Sequence, residues 1–146
     1  MSLLDLNIQV CHSLYSTANA LIRAYRPLLE PLDLTYPQYV VMMSLWQKDN
    51  VTVKQLSQHT RFDSGTLTPI LKRLEDKGWL IREQSNVDER QKNIVLTNTG
   101  KKLKQAAEAI PRKMACDTYT DLEKARMLKT LCEELYHHLE SQTSEK

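Results

Sequence analysis

The segment 63–97, DSGTLTPILKRLEDKGWLIREQSNVDERQKNIVLT, holds the pattern that decides the fold. Asp63 or Ser64 supplies an N-cap side chain. The apolar residues that follow recur at helical spacing: Leu67, Ile70, Leu71 and Leu74. Gly78 supplies the left-handed residue that commonly ends a helix. The first half of the segment therefore predicts one amphipathic helix.

The second half of the segment has the composition of a β-hairpin. WLIREQ (79–84) and KNIVLT (92–97) are strand-like runs, and the charged turn SNVDERQ separates them. Upstream, VTVKQLSQHT (51–60) predicts a short helix from about Val53, and RFD breaks it from the helix that follows. A short helix, a turn, a second helix and a two-stranded wing make a winged helix-turn-helix. The predicted fold class is mainly α with a small β-hairpin wing.

Two helices precede this region. The first is expected over 5–30, where Pro27 and Pro31 bend and then end it. TYPQ begins the next helix, because Thr35 and Gln38 have the spacing of a capping box. Both helices carry apolar residues at helical spacing, so both are expected to be amphipathic or buried.

Two further helices follow the wing. Thr97 starts the first of them, and Pro111 kinks or splits it. TDLE (120–123) is a capping box for the last helix. That helix repeats its apolar residues at helical spacing: Leu122, Met127, Leu128, Leu131, Cys132, Leu135, Tyr136 and Leu139.

The first helix and the last two helices have apolar faces too wide to be buried within a single chain of this fold. We therefore expect a homodimer in which residues 1–34 and 104–146 supply the dimerisation helices. Residues 35–103 form the winged helix-turn-helix, and the whole of 1–146 is one domain, which suits its length.

Composition limits the classes of partner. The net charge is +2, so any DNA-binding surface must be local. The N-terminus lacks the basic and apolar regions of a signal peptide, and no run of apolar residues is long enough to span a membrane. An odd number of cysteines, three, favours free or redox-active thiols in a reducing cytoplasm over structural disulfides.

Basic and small polar residues concentrate in the predicted winged helix-turn-helix. The helix from Ser64 begins with side chains that suit close approach to phosphates and base edges: Ser64, Thr66 and Thr68. The basic residues expected to contact DNA are Lys72, Arg73, Arg82, Arg90 and Lys92, in a region that also contains Lys54, Arg61 and Lys77. For any single lysine, a solvated surface position is an equally good interpretation.

The turn between the strands has a feature typical of DNA-binding wings. Arg90 lies at its tip, from which an arginine can enter a flanking minor groove. Asp88 precedes it by two residues and is expected to fix its side chain. The helix from Ser64 would enter the major groove.

Three segments carry a family resemblance: LTYPQYVVMMSLW, DSGTLTPILKRLEDKG and DERQKNIVLTNTG. They resemble the multiple-antibiotic-resistance regulators (MarR family) and, more narrowly, the organic-hydroperoxide-resistance regulators (OhrR). The resemblance covers Gln9 to about Leu103 closely and the last helices loosely. It implies a dimeric repressor that holds a pseudo-palindromic operator and releases it when organic hydroperoxide oxidises a cysteine.

The resemblance also assigns roles to individual residues. Cys11 and Tyr15 match the Cys-x3-Tyr setting of the sensing thiol, and Tyr25 and Tyr36 match tyrosines that bind this thiol across the dimer. Cys116 falls where one branch of the subgroup has a resolving cysteine. A low-molecular-weight thiol is the alternative resolver. Without the resemblance, Cys11 would be interpreted as a core residue on an apolar stripe.

Two other functions stay open at this point. One is a MarR-type repressor released by a small phenolic or carboxylic effector, and the other is a thiol peroxidase with Cys11 as nucleophile. A winged segment argues against the enzyme. Cys132 is interpreted as a packing residue, and no metal or cofactor is expected, because His137 and His138 point about 100 degrees apart on a helix and lack a second pair of ligands.

Overall fold

The computed structural model describes residues 2–118 and 121–144. Its elements are α1 (Val10–Leu29), α2 (Tyr36–Gln47), β1 (Val51–Thr52), α3 (Val53–Thr60), α4 (Ser64–Asp76), β2 (Leu80–Gln84), β3 (Lys92–Leu96), α5 (Asn98–Ala107), α6 (Ile110–Asp117) and α7 (Leu122–Ser144). Two short 3-10 helices, Leu6–Ile8 and Glu30–Leu32, flank α1. The element order confirms the predicted mainly α fold with a winged helix-turn-helix.

The sheet has three antiparallel strands in the order β1-β3-β2. Val51 pairs with Ile94 on one side of β3, and Leu80 pairs with Leu96 on the other. The predicted two-stranded wing is confirmed as β2 and β3, and the sheet has a third strand, β1, that was not predicted. β1 has only two residues, which is too short for the alternation that reveals a strand in a sequence.

The core beneath the wing is built by α4 and its neighbours. Leu67, Leu71 and Leu74 are at most 1% exposed, as the helical spacing predicted. Other residues buried to the same degree come from α2, α3 and the sheet: Val41, Met42, Leu45, Leu56, Leu80 and Ile94. Each large aliphatic side chain of this kind contributes roughly 1.5–3 kcal/mol by leaving water, so this core fixes the position of α4.

The boundaries of α1 differ from the prediction at one end. Asp5 does not start α1, because its carboxylate accepts a hydrogen bond from the amide of Asn7 at 3.0 Å and starts the 3-10 helix instead. Pro27 fits in the last turn of α1, and the chain turns at Asp33, whose φ of 54° is left-handed.

The caps of the central helices follow local rules. Thr35 and Gln38 form the predicted capping box, with hydrogen bonds of 3.2 and 3.3 Å. Thr97 accepts a hydrogen bond from the amide of Gly100 at 3.1 Å and starts α5 as predicted. Gly78 has the left-handed φ, 76°, that was expected after α4.

The chain divides into two compact units, with the boundary between Glu108 and Ala109. The second unit contains α6 and α7, and Pro111 lies in the first turn of α6, which agrees with the predicted split. The predicted cap Thr120 lies outside the described residues. Asp121 accepts hydrogen bonds from the amides of Glu123 and Lys124 at 3.0 and 3.3 Å.

The described part of α7 exposes an apolar stripe. Its members are 39 to 63% exposed: Leu122, Met127, Leu128, Leu131, Leu135 and Leu139. No residue of α7 is buried in the described chain. Such a stripe is typical of a helix whose apolar face is covered by another chain.

Candidate nucleic-acid interface and thiol site

Asp63 is the side chain that starts α4. Its Oδ1 accepts a hydrogen bond from the amide of Thr66 at 2.7 Å. That backbone hydrogen bond, reinforced by further contacts with Thr66 and Gly65, holds the pKa of Asp63 below its usual 3.8. The charged carboxylate is thus the cap, and Ser64 becomes the first residue of the helix.

The exposed face of α4 presents small groups at its centre. At about 100 degrees per residue, Gly65, Pro69 and Lys72 lie opposite the buried leucines. Gly65 and Pro69 have no hydrogen-bonding side chain and were not predicted as part of this face. Gly65 and Pro69 are four residues apart and Lys72 follows three residues later, a spacing that predicts one exposed helix face.

The predicted hydroxyl residues of α4 are all exposed, but they are not equivalent. Thr68 donates its hydroxyl hydrogen to the carbonyl of Ser64 at 2.7 Å, which leaves its oxygen as an acceptor only. Ser64 and Thr66 lie in the first turn beside the cap. These three side chains and that of Lys72 are exposed, with Lys72 near the centre of the outward face of α4 and Thr66 and Thr68 on opposite flanks of it.

Arg73 and Arg82 lie away from the centre of this face. Arg73 lines a cleft of about 570 Å³ with Asp33, Thr35, Gln38 and Lys77 among its walls. Arg82 places Nε 3.6 Å from Oε2 of Glu75, and its side chain is only 26% exposed. Arg82 therefore holds β2 against α4 through an ion pair, and a DNA contact by either arginine stays a prediction.

The turn of the wing is ordered by its own side chains. Oδ1 of Asp88 accepts a hydrogen bond from the backbone amide of Arg90 at 2.9 Å. The expectation that Asp88 fixes the side chain of Arg90 is corrected, because an Asp reaches the amide two residues on more readily. Ser85 accepts from the amides of Val87 and Asp88, and Val87 is 98% exposed at the tip.

Lys77 connects three parts of the first unit. It donates to the carbonyl oxygen of Asp33 and, at 3.2 Å, to Oε1 of Gln38. Its Nζ also lies 3.4 Å from the Asp33 carboxylate and 4.9 Å from the centre of the Trp79 ring. One side chain thus ties the connection between α1 and α2 to the end of α4 and the base of the wing.

The three cysteines are free and exposed. Cys11 lies in the first turn of α1, and Tyr15, one turn later, is 72% exposed. Cys116 lies in the last turn of α6, and Cys132 lies in α7. Because Cys132 is exposed in the single chain, the predicted packing role requires a second chain.

The predicted thiol-binding tyrosines meet each other rather than Cys11. The ring centres of Tyr25 and Tyr36 are 4.9 Å apart, and Tyr39 joins them at 5.9 and 6.5 Å. Tyr39, which the sequence analysis missed, is only 2% exposed, and burial followed by the neighbouring Tyr36 raises its pKa above the usual 10.0. We call these three residues the tyrosine cluster.

Cys11 cannot reach Tyr25 within one chain. The two residues are 14 positions apart on the continuous helix α1, which corresponds to about 21 Å along its axis. Beside the cluster, Tyr36 also lines a cleft of about 260 Å³ with apolar walls from Ile22, Leu29 and Leu34. The Cys11 thiol could therefore reach this cleft only from another copy of the chain.

A helix-turn-helix whose second helix exposes Lys72 and small residues, followed by a wing with an exposed arginine in its turn, is typical of a winged-helix DNA-binding protein. The profile of the family described as transcriptional regulator SarA/Rot matches residues 23–107. The chain belongs to this family of MarR-like winged-helix regulators, and it is a DNA-binding transcriptional regulator.

Individual relatives agree with this assignment. The organic hydroperoxide resistance transcriptional regulator of Bacillus subtilis is 43% identical over 74% of this chain and 74% of its own length. The regulator TtmR of Methylorubrum extorquens is 42% identical over 85% of this chain but only 64% of its own length, so this chain spans less than two thirds of TtmR. The resemblance to OhrR regulators is confirmed, and these relatives are regulators rather than enzymes.

Solved structures of AbfR, from Staphylococcus epidermidis, provide the structural comparison. Reduced AbfR bound to DNA has a TM-score of 0.80 and 31% identity and covers 92% of this chain and 94% of its own. AbfR with a disulfide has a TM-score of 0.63 and 35% identity, with coverages of 87 and 92%.

Among the described residues, no helix combines the length and apolar character needed to cross a bilayer.

Proposed function

We propose that this regulator is a homodimeric repressor that senses organic hydroperoxide through Cys11 and acts in the reducing cytoplasm. One observation carries the proposal. Cys11 is exposed at the start of α1, and the tyrosines expected to bind it form a cluster with Tyr25, about 21 Å further along the same helix, and Tyr36 on α2. Only a second chain can complete such a site, and the apolar stripe of α7 offers a surface for one.

The chemistry begins at the thiolate of Cys11. The sulfur attacks one oxygen of the hydroperoxide, the O–O bond breaks, and the alkoxide that leaves takes up a proton to become an alcohol. Cys11 is then a sulfenic acid. Phenol hydroxyls of Tyr25 and Tyr36 from the other chain would donate hydrogen bonds to the thiolate and stabilise it relative to the thiol.

The cleft beside Tyr36, whose lining also includes Arg26 and Glu30, would favour organic peroxides. Its apolar walls would take up the alkyl part of the oxidant, which hydrogen peroxide lacks. The sulfenic acid would then be resolved by Cys116, whose thiol attacks the sulfur and releases water, or by a low-molecular-weight thiol. A disulfide stops the sequence of oxidations before the irreversible sulfonic acid.

Loss of DNA binding would follow from a change in the distance between the two α4 helices of the dimer. Each α4 must meet one half-site, and half-sites are separated by about one helical turn of DNA. AbfR with a disulfide matches this chain less well, with a TM-score of 0.63, than AbfR bound to DNA in the reduced or the overoxidised state, with TM-scores of 0.80 and 0.75. This supports the disulfide, rather than oxidation alone, as the state that would release DNA.

The rival function is release by a small phenolic or carboxylic effector. The cleft lined by Arg73 and Lys77 is large enough for such a molecule, at about 570 Å³. Its walls also include Glu30, Asp33 and Asp76, which disfavour a carboxylate. The geometry therefore favours the thiol mechanism.

A titration with cumene hydroperoxide tests the proposal. DNA affinity is measured with a duplex that the reduced protein selects from a random pool, and the thiol state is followed by mass. We expect one equivalent of peroxide per chain to modify Cys11 and release the duplex. Cys11→Ser should bind the duplex as the parent does and ignore peroxide, while Cys132→Ser should respond normally. Release of DNA from Cys11→Ser would falsify the sensor assignment.

A further inference from the structure

A cleft of about 330 Å³ lies between the first turn of α3 and the wing. One wall consists of Thr52, Val53 and Lys54, and the other consists of Arg90, Gln91 and Lys92. We call it the Lys54 cleft. Arg90 and Lys92 are among the residues expected from the sequence to contact DNA. Lys54 was assigned no specific role.

The Lys54 cleft is cationic. Half of the residues that line it are basic, and the described residues in its walls include no acid. Lys54, Arg90 and Lys92 are all exposed, so their charges face solvent at its rim. Thr52 and Gln91 add polar groups. Such a surface fits a small anion that carries its charge on oxygen atoms.

The two walls of the cleft are held in a fixed relation. Thr52 pairs with Asn93 in the sheet, and Nδ2 of Asn93 donates to Oδ1 of Asn50 at 3.0 Å. Thr52 and Gln55 also form a capping box, with hydrogen bonds of 3.0 and 3.1 Å. The β1–β3 pairing thus sets the distance from Lys54 on α3 to Lys92 at the start of β3.

We propose that the Lys54 cleft seats one backbone phosphate of bound DNA, with Lys54 and Lys92 as its positioning residues and Arg90 at its rim. The inference rests on the DNA-binding role of the chain and not on peroxide sensing. A phosphate held from both sides fixes where the wing meets the duplex. It carries no base information, so the contact serves operator and non-operator DNA alike.

The test compares Lys54→Gln, Lys92→Gln and the double variant with the parent, and Lys104→Gln on α5 is the control. Affinity is measured by fluorescence anisotropy at several salt concentrations, with a duplex that the parent selects from a random pool and with a scrambled duplex. Thermal melting confirms that each variant is folded, as expected for exposed side chains.

We expect each single variant to weaken binding several-fold and to the same extent on both duplexes, while Lys104→Gln changes neither. The slope of log K against log salt should fall by about 0.9 in the double variant, the loss of one phosphate contact. Three outcomes overturn the inference: unchanged affinity and slope, a loss confined to the selected duplex, or a fall of about 1.8, which means two separate phosphates.

Discussion

Removing the hydroxyl of Tyr36 is the smallest substitution that distinguishes binding of the thiol from packing of the ring. Tyr25→Phe and Tyr36→Phe keep the rings of the tyrosine cluster and delete the groups that would donate to the Cys11 thiolate. A hydrogen bond to a charged group contributes about 1.5–3 kcal/mol, so we expect oxidation by cumene hydroperoxide to slow about tenfold or more. Stopped-flow measurement of thiol loss gives the rate.

Tyr39→Phe is the matched control for these variants. Tyr39 belongs to the same cluster but is 2% exposed, so its hydroxyl is not offered to another chain. We expect Tyr39→Phe to react at the parent rate. Equal rates in all three variants would assign the phenols of Tyr25 and Tyr36 to packing alone.

The charge of the Asp63 cap makes the stability of α4 depend on pH. The amide of Thr66 lowers the pKa of Asp63 in the folded state, so the charged cap stabilises the fold above the usual 3.8. This contribution is lost as the pH falls through the lowered value. Asp63→Asn keeps a capping side chain without the charge.

We expect the parent to melt at a higher temperature than Asp63→Asn at neutral pH, with the difference shrinking in acid. Melting curves across this range provide the measurement, and Asp121→Asn, at the cap of α7, shows whether the effect is specific to α4. A difference that stays constant with pH would mean that the charge of Asp63 has no part in it.

At the scale of elements, the contact between α5 and the base of the wing depends on Gly100. The indole Nε1 of Trp46 donates to the carbonyl oxygen of Gly100 at 3.0 Å. A Cβ at Gly100 would overlap the carbonyl oxygen of Trp79 and lie 3.0 Å from its carbonyl carbon. The neighbour is backbone and cannot rotate away, so α5 would have to move from the sheet.

We expect Gly100→Ala to destabilise the protein by about 1–3 kcal/mol, the usual cost of overpacking a core. Gly65→Ala is the control, because its Cβ would meet only Oδ1 of Asp63 at 3.4 Å and alanine favours a helix by about 0.5–1 kcal/mol. Chemical denaturation should give opposite signs for the two variants. Equal small effects would show that α5 yields without cost.

Elements with local signals were predictable from the sequence. The Thr35–Gln38 capping box, the leucine spacing of α4 and the left-handed Gly78 each depend on residues a few positions apart, and these were predicted. The capping box of Thr52 and Gln55 has an equally local signal but was not predicted. β1 was missed because its two residues are defined by pairing with β3, more than 40 positions away. Asp5 was misassigned because a capping carboxylate starts a 3-10 helix as readily as an α-helix.

The candidate sites divide in the same way. The hydroxyl residues and Lys72 of α4 were predicted from positions within one helix and are exposed, and their contact with DNA stays a prediction. The tyrosine cluster joins α1 to α2, and the Lys54 cleft joins α3 to β3. Both sites depend on tertiary contacts, which a pattern of neighbouring residues does not contain.

At the scale of the whole molecule, the proposed sensing cycle needs two chains. We expect oxidation to join Cys11 of one chain to Cys116 of the other, which requires Cα atoms about 4.4–6.8 Å apart. Formation of that disulfide would change the distance between the α4 helices of the two chains. On a non-reducing gel the peroxide-treated parent should run as a covalent dimer.

Cys116→Ser should lose this dimer band and leave Cys11 to be oxidised further, which adds oxygen atoms to its mass. Cys132→Ser is the control and should keep the band. A dimer band that persists in Cys116→Ser, or a bond mapped to Cys132, would assign the resolving role to another thiol.

The position of β3 in the middle of the sheet has a consequence for the thermodynamics of DNA binding. Both edges of β3 are paired, so the strands of the wing are ordered before any duplex arrives. Only the turn from Ser85 to Gln91 lies outside the ladder. Fixing a residue costs about 1–2 kcal/mol of backbone entropy, and the residues of the wing strands are already fixed in the folded chain. The duplex therefore meets strands that are already ordered and a turn held by Ser85 and Asp88, which leaves more of the contact energy for affinity.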